Sequence, residues 1–309
     1  MTAFTLTPLG ISAALPAYGR HFSALTLEHP RSGHTLLFDC GEGTQFQLAQ
    51  TSVKPSRLQA CFITHLHGDH VFGIPGLLNS LALTQPDRSR MLIVGPTGLR
   101  AFIDSLPGKG RWPYDLNIVE LVPDTPHAVV AETPDYRVEA RPIDHTVPCF
   151  GYRFTETDRP GTLDADKARA LGVPHGPALG QLKNGEAITT AEGRVVRPEE
   201  VVGPVQRGKA FAYVTDTRPC ENGVALADGA AVVYHEATYR DVHEHLAQER
   251  GHSTAAQAAR VADEAGADRL LLGHFSARYP HAELMHLRAE AVRKHQNTTT
   301  AEELQPIHP

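Results

Sequence analysis

Four potential metal ligands fall in the run Phe62-Ile63-Thr64-His65-Leu66-His67-Gly68-Asp69-His70, between His65 and His70. Imidazole nitrogen and carboxylate oxygen together suit zinc, and less often manganese or iron. The apolar residues ahead of Thr64 read as a strand and those after His70 as a helix, so the ligands occupy the turn between them. On such a turn His65 and His67 can point the same way and share one metal. Gly68 lets the chain reverse tightly, so Asp69 and His70 can reach a second metal beside the first. The competing reading is a chance cluster of polar loop residues, and the placement speaks against it.

A two-metal site needs further ligands, and the sequence offers them just beyond strand-like segments. His145 follows Val138–Ile143, Asp216 follows Ala210–Thr215, and His274 follows Leu270–Leu272. In open α/β sheets, active sites gather at the carboxyl ends of strands. Singly, each is more often an ordinary loop residue; three such residues together with the first cluster point to one site. Glu236 and His252, taken alone, read as a carboxylate following a strand and a loop residue ahead of a helix.

The elements that must position these residues alternate. Phe22–Leu27, His34–Phe38, Leu58–Ile63 and Met91–Val94 read as strands, the last ending at Gly95-Pro96. A helix is expected from about His70 to Leu83, stopped by Pro86. Ala210–Thr215, Ala231–Tyr234 and Arg269–Leu272 read as buried strands, and Thr254 with Gln257 forms a capping box for a helix ending at Gly266. Strand, helix, strand indicates an α/β sheet covered by helices. Nothing is assigned to the polar tail after about Asn297.

With 309 residues, a chain can bury roughly 75% of its unfolded surface, so no metal is needed to hold a core together. Cys40, Cys61, Cys149 and Cys220 lie far apart and form no CxxC pair, which fits reduced thiols. No secretion signal and no membrane-length apolar run is visible, and the chain reads as cytoplasmic. The net charge of −6 argues against a generally sticky nucleic-acid binder, though not against a local basic surface.

Residues 152–208 differ in character, with Pro160, Gly161, Gly172, Pro174, Gly176, Pro177, Gly180, Gly185 and Gly193 around one short expected helix, Leu163–Leu171. Thr162 can cap that helix and Gly172 can end it. A functionless surface insertion is the plain alternative, yet long irregular insertions are often functional.

The chain resembles ribonuclease Z, the tRNA 3′-processing endonuclease family of the metallo-β-lactamase superfamily. The resemblance runs through Leu37-Phe38-Asp39-Cys40-Gly41-Glu42-Gly43-Thr44-Gln45, Thr64–His70 continuing to Leu77, and Val214-Thr215-Asp216-Thr217-Arg218. It continues in His235-Glu236-Ala237-Thr238, His252-Ser253-Thr254-Ala255 and Leu272-Gly273-His274. The HxHxDH core marks only the superfamily; the later runs and the insertion are more specific. The resemblance implies an α/β metallo-β-lactamase fold, an αββα four-layer sandwich forming one domain over 1–309, with 152–208 as a protruding Gly/Pro-rich exosite arm. It implies two Zn2+ per subunit, with Mn2+ as the alternative. One would be held by His65, His67 and His145, the other by Asp69, His70 and His274, with Asp216 bridging. The redox branch of the superfamily usually carries Glu where this chain has His67, which favours hydrolytic zinc over redox iron.

The activity so implied is removal of the 3′ trailer from precursor tRNA, leaving a tRNA 3′-hydroxyl and a 5′-phosphorylated trailer. Zinc lowers the pKa of water from about 15.7 to about 7 and can clamp phosphate. Asp69 would orient the attacking water and take its proton; His252 would protonate the departing oxygen, oriented by Glu236. Lys167, Arg169 and Lys183 on the arm, and Arg20 near the N-terminus, are the candidate RNA contacts. From Arg153 to Gly208 eight Lys/Arg meet eight Asp/Glu, so charge alone does not make the arm an RNA binder. Where the family often has PxKxRN, this chain has Pro16-Ala17-Tyr18-Gly19-Arg20-His21, so its preference regarding a CCA end is open. The resemblance implies a homodimer and no membrane partner. The alternatives are a phosphodiesterase of the same fold acting on small substrates, a non-catalytic nucleic-acid binder, and a redox diiron protein.

Overall fold

The computed structural model describes residues 3–85, 87, 90–106 and 112–309. The N-terminal half contributes β1 (Thr5–Gly10), β2 (Ser12–Ala13), β3 (Ala24–His29), β4 (His34–Phe38), β5 (Leu58–Phe62), β6 (Arg90–Pro96) and β7 (Asp115–Leu121). Six of these form one sheet in the order β1-β3-β4-β5-β6-β7, antiparallel through β4 and parallel from β4 to β7. Next come β8 (Ala128–Glu132), β9 (Tyr136–Ile143), β10 (Cys149–Glu156), then β11 (Ile188–Thr189) and β12 (Val195–Val196), which pair only with each other. The last strands are β13 (Ala210–Val214), β14 (Val232–Glu236), β15 (Leu270–Gly273), β16 (Phe275–Ser276) and β17 (Thr298–Thr300). The second large sheet has the order β17-β15-β14-β13-β10-β9-β8, parallel from β13 through β17.

The alternation of side chains along a strand explains how two sheets face each other with helices outside. On β4, Leu36 and Phe38 join the core shared with the second sheet, whereas Leu37 joins the core under the helices. Phe38 lies 5.4 Å from Tyr213 and 5.5 Å from Phe211 of β13, ring centroid to centroid, so aromatic rings bind the sheets together. The outer face of the first sheet is covered by α1 (Thr44–Leu48), α2 (Gly68–Val71), α3 (Ile74–Thr84) and α4 (Leu99–Asp104), through Val71, Leu77, Leu78, Leu81, Leu99 and Ile103 among others. Three further helices, α5 (Ala165–Ala170), α6 (Pro177–Lys183) and α7 (Pro198–Val201), belong to the insertion. The second sheet is covered by α8 (Glu221–Ala227), α10 (Ala255–Glu264) and α11 (Leu284–Val292), with the short α9 (Glu244–Arg250) between α8 and α10. The layers run helix, sheet, sheet, helix.

The chain divides into two compact units, residues 1–155 with 209–309, and residues 156–208. The second has a small core of its own, Ala168, Val173, Leu182, Val196 and Val201. In it, Asp164 rather than Thr162 caps α5, its side chain accepting from the Lys167 amide at 2.9 Å. Gly172 ends that turn at φ +85°, a conformation glycine adopts without a Cβ penalty. Tyr152–Thr155, expected within the insertion, are instead the inner part of β10 and pair with β13.

Two other expectations change. The single helix from His70 to Leu83 is two helices, α2 and α3, broken at Phe72-Gly73. A β-carbon on Gly73 would lie 2.0 Å from the Gly41 carbonyl, so the chain passes too close to the Cys40–Gly41 loop for a side chain there. Pro75, at the start of α3, also has no amide to continue the first helix. Pro86, expected to stop this helix, lies outside the described residues. The tail is structured too: β17 completes the second sheet, and the Leu6 and Ile307 backbones exchange hydrogen bonds at 2.9 and 2.8 Å. Thr254 and Gln257 form the capping box anticipated for α10.

Candidate metal centre

The ligand candidates converge beyond the carboxyl ends of strands from both sheets. His65 and His67 lie in the turn from β5 to α2, and His145 follows β9. Asp216 follows β13 and His274 follows β15. His65, His67, His145 and Asp216 bring one donor atom each within 4.8 Å of one another, and Asp69, His70 and His274 do the same. All seven are in one place.

The Asp216 carboxylate joins the two groups. Its Oδ2 lies 3.6 Å from His65 Nε2 and 3.9 Å from His145 Nε2, while Oδ1 lies 3.0 Å from His274 Nε2 and 3.6 Å from His70 Nε2. Within the second group His70 Nε2 and His274 Nε2 are 3.3 Å apart, and Asp69 Oδ2 is 3.4 and 3.6 Å from them. Donors each about 2.0–2.1 Å from a tetrahedral ion lie roughly 3.3 Å apart. The spacing suits an ion in each group.

Hydrogen bonds behind the imidazoles fix which nitrogen faces inward. Asp39 Oδ2 sits 2.8 Å from His70 Nδ1 and accepts from Tyr213 Oη at 3.1 Å. The Gly251 carbonyl accepts from His145 Nδ1 at 2.8 Å. Thr64 Oγ1 donates to Asp39 and so can accept from His65 Nδ1 at 3.0 Å. Thr238 Oγ1 donates to Glu236 Oε2 at 2.5 Å and can accept from His274 Nδ1 at 2.9 Å. With Nδ1 carrying the proton in all four, the network assigns each Nε2 a lone pair directed at the centre. His67 differs, its Nδ1 lying 2.8 Å from His65 Nε2. The buried His145 Nε2 has no hydrogen-bond partner. A buried, unpartnered acceptor facing other acceptors fits a cation and little else.

Charge points the same way. Burial disfavours protonated His70, yet Asp216, Asp39 and Asp69 raise its pKa well above the ordinary value. Burial, followed by the neighbouring imidazoles, pushes His65 well below its own. Burial would raise the Asp69 carboxyl, but His70 and His274 hold it far below the carboxylate range. Positive charge is favoured here. These donors fit divalent metal ions.

Backbone strain accompanies the geometry. Asp39, Asp216 and His274 all have φ near +55°, at 56°, 55° and 53°. For residues with a β-carbon this region is costly and is kept where the surroundings over-determine it. Each sits just past a strand, and the left-handed step turns the side chain into the centre. Ala14, at φ 55°, donates its amide to Asp69 Oδ2 at 2.8 Å.

Beside the centre, His252 Nδ1 is 3.0 Å from Glu236 Oε1. Burial would raise the fully buried Glu236 carboxyl, but His252 holds it down at about 2. Burial opposes the His252 charge in turn, and Glu236 overrides it, holding the imidazole up to about 9. The Glu236 carboxylate also receives the Thr217 amide at 2.5 Å.

The four RNA-contact candidates fall elsewhere. Arg20 is 4% exposed, with its guanidinium donating to the Ser276 and Tyr279 carbonyls at 3.2 and 2.9 Å, so it braces the chain after His274. Lys167, Arg169 and Lys183 are exposed on the second unit, where Arg169 pairs with Asp166 at 2.9 Å. Asp39, Thr238, the Gly251 carbonyl and the Ala14 amide support the centre without having been singled out from the sequence. Asp39 and Thr238 do stand inside the Leu37–Gln45 and His235–Thr238 stretches. Nothing local marked the two backbone groups.

Comparisons with known proteins place this centre in a family. Residues 4–102 match the model of the anti-Pycsar protein Apyc1, and residues 181–275 match a β-lactamase superfamily domain. Ribonuclease Z of Salinibacter ruber is 50% identical over 276 residues, covering 88% of this chain and 85% of that protein. Ribonuclease BN of Erwinia tasmaniensis is 42% identical over 288 residues, covering 91% and 92%. The crystal structure of the short form of human tRNase Z superposes with a TM-score of 0.71 at 29% identity, covering 98% of both chains. The protein has the metallo-β-lactamase fold, and it belongs to the ribonuclease Z family.

Proposed function

We propose that this chain removes the 3′ trailer from precursor tRNA, using two zinc ions, with manganese as the alternative. The observation that carries the reading is Asp216, whose two oxygens face two separate sets of donors. His65, His67 and His145 would hold one ion, and Asp69, His70 and His274 the other, with Asp216 shared. Bound zinc supplies a water of pKa about 7 and positive charge facing the phosphate.

The remaining chemistry falls to side chains. Asp69, with Oδ2 fixed by the Ala14 amide, orients the attacking water and takes its proton. A new P–O bond forms as the P–O3′ bond breaks. Glu236 occupies His252 Nδ1, so Nε2 is the nitrogen that passes a proton to the departing O3′. The products are a tRNA 3′-hydroxyl and a trailer with a 5′-phosphate.

Precursor tRNA as substrate is supported by the relatives named ribonuclease Z. We assign residues 156–208 the role of an exosite arm that grips the tRNA body, with Lys167, Arg169 and Lys183 facing phosphates, on a homodimer. No described helix is long and apolar enough to cross a membrane, and the four cysteines are free, in keeping with a cytoplasmic enzyme.

The test is cleavage of a precursor tRNA with and without a chelator, with both new ends identified. Chelation should abolish cleavage, and the ends should be 3′-hydroxyl and 5′-phosphate. A 2′,3′-cyclic phosphate, or cleavage indifferent to chelation, would overturn the mechanism. Deleting the arm should weaken tRNA cleavage far more than hydrolysis of a small phosphodiester; equal losses would contradict its role.

A further inference from the structure

Ala14 reaches the candidate metal centre with its backbone alone. Its amide donates to Asp69 Oδ2 at 2.8 Å, the same oxygen that lies 3.4 and 3.6 Å from His70 and His274 Nε2. A backbone contact is only as accurate as the segment that carries it. Ala14 sits at φ 55°, a conformation that persists only where its surroundings enforce it. The segment 11–21, between β1 and β3, must therefore be held from outside. Part of the hold is β2, whose Ser12 and Ala13 pair with Phe275 and Ser276 directly after His274. Arg20 adds its bonds to the Ser276 and Tyr279 carbonyls.

The rest of the hold comes from Glu303, in the tail beyond β17. Its Oε1 accepts the Ile11 amide at 3.3 Å and the His21 amide at 2.6 Å, so one oxygen joins the two ends of the segment. The Ser12 amide donates to the His21 carbonyl at 2.8 Å just inside that closure. Glu303 Oε2 lies 2.6 Å from His21 Nδ1 and accepts from Gln47 Nε2 of α1 at 3.1 Å. The carboxylate is itself anchored: buried Gln47 also donates to the Leu9 carbonyl, and the Leu304 amide donates to the Pro8 carbonyl of β1, both at 2.8 Å. Bonds to an ionised acceptor are roughly twice as strong as neutral ones. We infer that Glu303 is a positioning residue for the reaction: by closing the segment 11–21 it holds the Ala14 amide against Asp69 and so aims the carboxylate that orients the attacking water. This rests on the hydrolytic function proposed above, and it deepens it by giving the tail a part in it. The effect passes through the backbone and needs no contact with RNA, so it is the same for any phosphodiester.

The test compares the zinc-loaded full chain with Glu303→Ala and Glu303→Gln, on a precursor tRNA and on bis(p-nitrophenyl) phosphate. A group behind a metal ligand contributes about 10–100-fold, and Glu303 acts one step further back, so Glu303→Ala should lower kcat about 10-fold on both substrates with KM unchanged. Glu303→Gln keeps an oxygen in reach of both amides and should recover most of the loss. In the metal-free protein, amide hydrogen exchange across residues 11–21 should rise about 10-fold in Glu303→Ala while β13, β14 and β15 stay protected. His21→Ala removes only a half-exposed ring and serves if Glu303→Ala does not fold; the same kcat should then fall about 2- to 3-fold, the weight of one hydrogen bond. A rise in KM for tRNA alone would make the segment an RNA contact and overturn the inference. So would an unchanged kcat in Glu303→Ala, a Glu303→Gln as slow as Glu303→Ala, or unchanged exchange across 11–21. If the unaltered enzyme hydrolyses neither substrate, the hydrolytic function itself fails, and this role with it.

Discussion

The two donor groups that share Asp216 are built differently. The group of Asp69, His70 and His274 is enclosed, with both imidazoles at 0–1% exposure and Asp39, Asp69 and Asp216 all around His70. The group of His65, His67 and His145 has Asp216 as its one carboxylate, and its His67 is exposed to solvent. One half is sealed and ringed by carboxylates; the other is open to solvent at His67. On the proposed function the labour would divide accordingly: the sealed half would fix an ion and the water-orienting Asp69, while the open half would meet the substrate.

Mutations can break that comparison in order of expected effect. Asp216→Ala removes the carboxylate common to both halves. Metal content should collapse in both and cleavage should fall to background, measured by elemental analysis beside an RNA assay. Loss of metal from one half only would show that the bridge is not shared. His252→Ala leaves both donor groups intact, so metal content should hold while cleavage falls about 10²–10⁴-fold, the usual contribution of a general acid. Unchanged cleavage would remove His252 from the chemistry.

Subtler changes separate the halves. Asp39 touches the sealed half directly, at His70, and reaches the open half only through Thr64 behind His65. Asp39→Ala should cost about 10–100-fold in metal affinity or activity, as is typical for a group behind a ligand. The deficit should appear as weaker binding of the tighter ion; if the weaker ion suffers instead, the assignment of sealed and open is reversed. The smallest effect is kinetic. Under a mild chelator the ion beside the exposed His67 should leave first, giving two-step metal release, and simultaneous release would contradict the asymmetry.

Much of this centre was legible in the sequence because its ligands stand where strands end. His145, Asp216 and His274 each follow an apolar run, and HxHxDH packs four donors into one turn. What escaped were the groups behind the ligands. Asp39 reaches His70 across 31 positions and Thr238 reaches His274 across 36, pairings that only tertiary structure creates. The left-handed backbone at Asp39, Asp216 and His274 also has no signature, since none of them is glycine. The break between α2 and α3 owes as much to the close approach of Gly73 to Gly41, a tertiary feature, as to Pro75. The polar tail gave no sign of β17 or of Glu303, which takes hydrogen bonds from the His21 amide at 2.6 Å and from Gln47 at 3.1 Å. Arg20 was named as an RNA contact because it stands in the stretch that matches PxKxRN, and nothing in that stretch foretold its burial against the Ser276 and Tyr279 carbonyls.

The most direct examination is anomalous diffraction at the zinc edge from crystals grown with zinc. The account predicts two peaks per chain, one among His65, His67 and His145, the other among Asp69, His70 and His274, with the Asp216 carboxylate between them. A single peak, or metal bound away from these residues, would contradict it.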